Sequence, residues 1–161
     1  MDENEEKNII KKPGVLYIDD EEHNLISFKA SLRREFSVYT AISPEAALEY
    51  LDKEDLKVVV SDQRMPKITG VEFFAELKKT HPEPIRILLT GYSDMQAVVD
   101  AINQGEVYRY LTKPWDAPGM VSTINQAIEI YDLRKENKRL VAELKRVNSQ
   151  LEFYLRQKLL S

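Results

Sequence analysis

No cysteine occurs among the 161 residues. That excludes a disulfide framework, a cysteine-based zinc site and thiol catalysis, and it fits a reducing compartment. No stretch approaches the roughly 18 consecutive apolar residues of a membrane-spanning helix. The segment from Met1 to Lys12 opens acidic and has no apolar core of the kind a secretory leader needs. The expectation is a soluble, cytoplasmic protein without a membrane partner. Histidine is confined to two isolated residues, His23 and His81, both expected at the surface rather than as metal ligands.

What is present suffices for a packed core. Apolar residues make up 43% of the chain and charged residues 31%, and 18.7 kDa leaves room for one ordinary domain and an appendage. The net charge of −4 is unevenly spread: residues 1–131 carry −8 and residues 132–161 carry +4. A split of that kind separates a body from a C-terminal segment with a different task.

The body alternates two periodicities. Val15–Ile18, Val58–Ser61 and Arg86–Thr90 are short apolar runs that read as strands buried on both faces, and Phe36–Thr40 and Tyr108–Thr112 are rich in β-branched and aromatic residues. Between them Leu25, Phe28 and Leu32 share a helical face, as do Ala46, Ala47 and Leu51, then Phe73, Phe74 and Leu77, then Val98, Val99 and Ile102. Ser43-Pro44 and Asp116-Ala117-Pro118 each offer an N-cap followed by proline in the first turn. The pattern predicts an α/β domain of (βα)₅ type over about residues 12–131, with residues 1–11 as an acidic tail.

An open parallel sheet collects its chemistry at the carboxyl ends of its strands. Those ends carry Asp19 and Asp20, Asp62, Thr90 and Lys113. Three neighbouring carboxylates repel one another unless a cation joins them, and hard oxygen ligands with room for water suit Mg²⁺. One carboxylate could then attack phosphorus, with Lys113 and Thr90 serving phosphoryl oxygens. Each residue alone has an ordinary explanation, such as a solvated acidic turn capping the next helix or a strand end before a turn. Their coincidence on one edge has none.

The motifs Asp19-Asp20, Asp62-Gln63-Arg64-Met65-Pro66-Lys67-Ile68-Thr69-Gly70, Leu89-Thr90-Gly91 and Tyr110-Leu111-Thr112-Lys113-Pro114 resemble the receiver domain of bacterial two-component response regulators. The resemblance spans about residues 13–131. It implies a doubly wound, flavodoxin-like sheet of order 2-1-3-4-5 flanked by five helices. It also implies that Asp62 accepts phosphate from a sensor histidine kinase or phosphotransfer protein. Asp20, Asp62 and the Arg64 backbone carbonyl would bind Mg²⁺, with Asp19 acting through water. Thr90 and Lys113 match the family's switch hydroxyl and lysine, and Tyr110 its aromatic switch. Pro66 would stiffen the loop beside Asp62, and Gly70 would let the chain turn into the third helix. Arg64 and Tyr92 are bulky where this family tunes hydrolysis, so a shielded, slowly lost acyl phosphate is expected. The stretch Tyr110–Asp116 is similar to receivers attached to cyclic-dinucleotide phosphodiesterases and to some transcription activators.

From Asp116 to Ser161 only Gly119 interrupts helix-forming sequence. A helix from Ala117 to Lys158 would be about 60 Å long. Its seam residues Ile130, Leu133, Asn137, Leu140, Leu144, Val147, Leu151 and Tyr154 step by three and four, a heptad pattern with Ile130, Asn137, Leu144 and Leu151 at a positions. A buried Asn137 pair favours a parallel two-stranded register, and Glu129 could pair with Arg134 of the partner helix. The expectation is a parallel homodimer whose linker helix, residues 132–161, leads to an output domain absent from this chain. The alternative is a monomeric signalling helix with Asn137 as a local weak point.

Three other functions compete with a phosphorylation switch. An aspartate-nucleophile phosphohydrolase of the haloacid-dehalogenase type wants Asp-x-Asp after its first strand, whereas this chain has Asp19-Asp20-Glu21. DNA binding by the basic tail is disfavoured, because its basic residues interleave with the seam and no separate basic region precedes it. A non-phosphorylated scaffold would have no use for all five site residues.

Overall fold

The computed structural model describes residues 11–161, so of the expected acidic tail all but Lys11 lies outside the described residues. The chain runs β1 (Gly14–Ile18), α1 (Glu22–Leu32), β2 (Ser37–Ala41), α2 (Pro44–Lys53), β3 (Val58–Asp62), α3 (Gly70–Thr80), β4 (Ile85–Thr90), a 3₁₀ turn (Tyr92–Asp94), α4 (Met95–Asn103), β5 (Arg109–Thr112) and α5 (Ala117–Leu160). All strand pairs are parallel, in the order β2-β1-β3-β4-β5. The fold expected from the sequence is the one observed.

Period-two alternation sorts the strand residues between two cores. Val15, Tyr17, Val58, Val60, Ile85, Ile87 and Leu89 face α1 and α5, while Leu16, Ile18, Val59 and Leu88 face α2, α3 and α4. A sheet covered on both sides explains why the central strands read as unbroken apolar runs. The helices begin where expected: Ser43 caps the Ala46 N–H at 3.2 Å and Asp116 caps the Gly119 N–H at 2.8 Å, each followed by a proline. Thr69 caps α3 in the same way, accepting from the Glu72 N–H at 3.2 Å.

Four details differ from expectation. β2 and β5 each begin one residue later than read, at Ser37 and Arg109, and Phe36 is instead buried in the turn before β2. Gly70 does not need unusual backbone freedom; a Cβ there would stand 2.6 Å from the Asp62 carbonyl oxygen, so close approach of two chain segments demands glycine. The left-handed residue of that loop is Lys67, at φ 71°. His81 is partly exposed but not isolated: its Nε2 lies 2.7 Å from Asp52 Oδ1, tying the end of α3 to α2.

α5 is 44 residues long, about 66 Å at 1.5 Å per residue. Met120, Thr123, Ile124, Ala127 and Ile128 pack into the domain, and every residue from Asp132 onward is exposed. Ile130, the first expected seam position, is half-buried against its own domain's core rather than free for a partner. No helix among the described residues is long and apolar enough to cross a membrane.

Candidate functional site

Parallel strands deliver their last residues to one edge of the sheet. Asp19 and Asp20 follow β1 directly, Asp62 and Thr90 close β3 and β4, and Lys113 follows β5. Register places Asp62 beside Leu89 and Thr90 beside Thr112, so the side chains meet without any long loop.

Carboxylate oxygens of Asp19, Asp20 and Asp62 lie within 4.8 Å of one another. Asp19 is fully buried, Asp62 is 5% exposed, and Asp20 is the open member. The Lys113 ammonium stands 2.5 Å from Asp62 Oδ1. Burial pushes the Asp62 carboxyl above its ordinary value; Lys113 pulls it back by hydrogen bond and charge, and Asp19 and Asp20 add to the rise. A lone ammonium therefore does not balance three acids, and the site has the charge and the hard oxygen donors that a small divalent cation satisfies. Asp20, Asp62 and Asp19 are the side chains that could hold one.

The remaining expected residues fall around this centre. The Thr90 hydroxyl is buried and donates to the Gly91 carbonyl at 3.0 Å, so in this state it is turned to its own backbone. Tyr110 is half-buried on β5, packed on the α4 side of the sheet. Arg64, two residues after Asp62, sends its guanidinium to the next loop, with Nε 3.0 Å from Asp94 Oδ2 and Nη2 2.8 Å from Ser93 Oγ. Of Tyr92 the backbone alone is described, in the 3₁₀ turn. The seam residues lie outside the site, along α5: Leu133, Leu140, Leu144, Val147, Leu151 and Tyr154 are all exposed, as is Asn137.

Two residues that sequence reasoning did not single out touch the acids. The Tyr17 hydroxyl donates to Asp19 Oδ2 at 2.6 Å, and the Asn24 amide to the same oxygen at 3.1 Å. Tyr17 stands two residues before Asp19 in a strand, hence on the same face, and that spacing was the available signal.

Residues 15–125 match the family described as the response regulator receiver domain. The hydrogenase transcriptional regulatory protein HoxA of Cupriavidus necator is 35% identical over 151 residues, 94% of this chain and 31% of that protein. Among solved structures, adenylate cyclase from Rhodopirellula baltica superposes with a TM-score of 0.77 at 31% identity, over 81% of this chain and 97% of that one. The signal receiver domain of an HD domain-containing protein from Pseudomonas fluorescens Pf-5 gives 0.72 at 31%, over 80% and 96%. The chain spans less than a third of the length of the curated relatives it matches.

Proposed function

Because the chain belongs to the response regulator receiver family, we propose that it is a phosphorylation switch in which Asp62 takes a phosphoryl group from a sensor histidine kinase or phosphotransfer protein, or from a small phosphodonor. The observation that carries this reading is the buried Asp62 carboxylate, ringed by Asp19 and Asp20 and met by the Lys113 ammonium at 2.5 Å. An Asp62 oxygen attacks phosphorus, the bond from phosphorus to the donor nitrogen or oxygen breaks, and its electron pair leaves with the donor. Mg²⁺, when bound, supplies neutralising charge to the acids and to the transferred phosphoryl oxygens. Asp20, Asp62 and the Arg64 backbone carbonyl would hold it, with Asp19 reaching it through water. Lys113 exchanges one Asp62 oxygen for a phosphoryl oxygen. Thr90 leaves the Gly91 carbonyl to donate to another, and Tyr110 turns into the space vacated. The face formed by α4, β5 and α5 then has two states biased by one local charge.

Arg64, tethered to Ser93 and Asp94, narrows the approach of water, so the acyl phosphate is lost slowly. A half-life of seconds would contradict this. The chain's own chemistry is limited to accepting and slowly losing phosphate; it is not a turnover enzyme.

The same reading divides the chain into a receiver over residues 12–131 and a cytoplasmic coiled-coil linker over residues 132–161 that leads to an output domain. The exposed row Leu133, Leu140, Leu144, Val147, Leu151 and Tyr154 supports a parallel homodimer along α5. Arg139 and Arg146 are paired with Glu136 and Glu143 at 2.7 and 2.6 Å along the helix surface, which suits solvated flanks of a coil better than a nucleic-acid contact.

Acetyl phosphate, with and without Mg²⁺, tests the switch. Intact mass should show one phosphoryl group gained only with Mg²⁺ and lost in Asp62→Asn, and light scattering on the same samples reports whether the coil responds. No adduct on a folded, Mg²⁺-binding protein would favour the non-phosphorylated dimer scaffold, and turnover of small phosphomonoesters would favour the phosphohydrolase.

A further inference from the structure

Tyr17 is a tyrosine in the middle of a buried strand, with a hydroxyl that must find a partner away from water. It finds Asp19. The hydroxyl donates to Asp19 Oδ2 at 2.6 Å, the side chain is 2% exposed, and the ring is stacked on Phe28 with centroids 4.1 Å apart. Phe28 in turn meets Trp115 edge-on at 5.6 Å.

The donors divide unequally over the two Asp19 oxygens. Oδ2 accepts from Tyr17 and from the Asn24 amide, which fills its two lone-pair sites, whereas Oδ1 accepts from the Glu21 N–H at 3.0 Å and keeps one site open. The carboxylate is thus fixed with a single oxygen available to the acid cluster. Without the hydroxyl, a fully buried carboxylate would have one donor fewer and one more orientation to choose from.

We propose that Tyr17 is a positioning residue for the divalent-cation site, its buried hydroxyl setting cation affinity by fixing the Asp19 carboxylate. This rests on the reading of the acid cluster as a Mg²⁺ site. Groups that orient metal-binding side chains commonly contribute ten-fold or more to affinity when removed.

Calorimetric titration of the full chain with Mg²⁺ alone tests it, on the wild type, Tyr17→Phe and Phe28→Leu. Tyr17→Phe keeps the ring and its stack, so the fold is retained, and it should bind Mg²⁺ about ten-fold more weakly. Phe28→Leu disturbs the ring packing but not the hydroxyl, and should keep wild-type affinity. Equal binding by the wild type and Tyr17→Phe would overturn the proposal while leaving the metal site intact. An equal loss in Phe28→Leu would assign the effect to packing and overturn it also. A wild type that binds no Mg²⁺ would remove the metal site itself, and the proposal with it.

Discussion

Asp62 is held between opposing influences: burial and two neighbouring carboxylates favour its proton, and Lys113 favours its charge. The balance lies with the proton, so the folded chain binds it more tightly than the unfolded chain does. Between the ordinary carboxylate value of 3.8 and the raised one, folding takes up a proton, and stability falls as pH rises through that window. The metal-free Asp62→Asn variant should therefore melt above the wild type at pH 7, with the gap closing toward pH 4; a melting series across that range checks it. Arg86 makes a different kind of demand. Its buried guanidinium donates to the carbonyls of Glu106 at 2.7 Å, Pro84 and Gly105 at 3.2 Å and Pro82 at 3.3 Å. Arg86→Met strands those acceptors and should cost about 3 kcal/mol, read as a fall of roughly 6–12 °C in Tm. Arg86 appeared in the sequence only as the first residue of a strand, because its partners are backbone groups that leave no trace in residue types. Asp19, Asp62, Thr90 and Lys113 were legible because parallel strands bring their ends to one edge whatever the loops do. Tyr17 was signalled only by its spacing of two residues from Asp19, whereas the close approach at Gly70 depends on a distance between chain segments that no spacing along the chain encodes.

The elements were legible wherever a cap and a periodicity agreed, as at Ser43 and Asp116, and less so at β2, whose aromatic Phe36 belongs to the turn. α5 carries two stripes. Met120, Ile124 and Ala127 face the domain, and the same stripe continued outward becomes Tyr131, Arg134 and Lys138; the seam runs one residue earlier, about 100° around the helix. The sequence showed the second stripe but not that Ile130 lies where the two converge, half-committed to its own core. Leu144 is 61% exposed in the single chain. If it fills a coiled-coil core, Leu144→Ala should lower dimer stability by about 2 kcal/mol or more, whereas on a monomeric surface the change would stay within about 0.5 kcal/mol. Asn137→Leu should raise the coil's melting temperature by the equivalent of about 1–2 kcal/mol and weaken its preference for a dimer. Concentration-dependent denaturation and light scattering check both.

At the scale of the whole molecule, the charge asymmetry coincides with the boundary of the packed body: the basic segment from Asp132 onward is the part of α5 that leaves the domain. An ion pair stands at that boundary, Lys57 Nζ to Asp132 Oδ1 at 2.7 Å. Beyond Asp132 lie 28 helical residues, all of them exposed, a reach of about 42 Å. In the proposed switch the helix is a lever whose fulcrum is the packed segment from Met120 to Ile128. A tilt of about 5° there would carry the far end through roughly 4 Å, about two-thirds of the rise of one helical turn. Motion at the root need only be slight for the tip to be moved by a full contact's width.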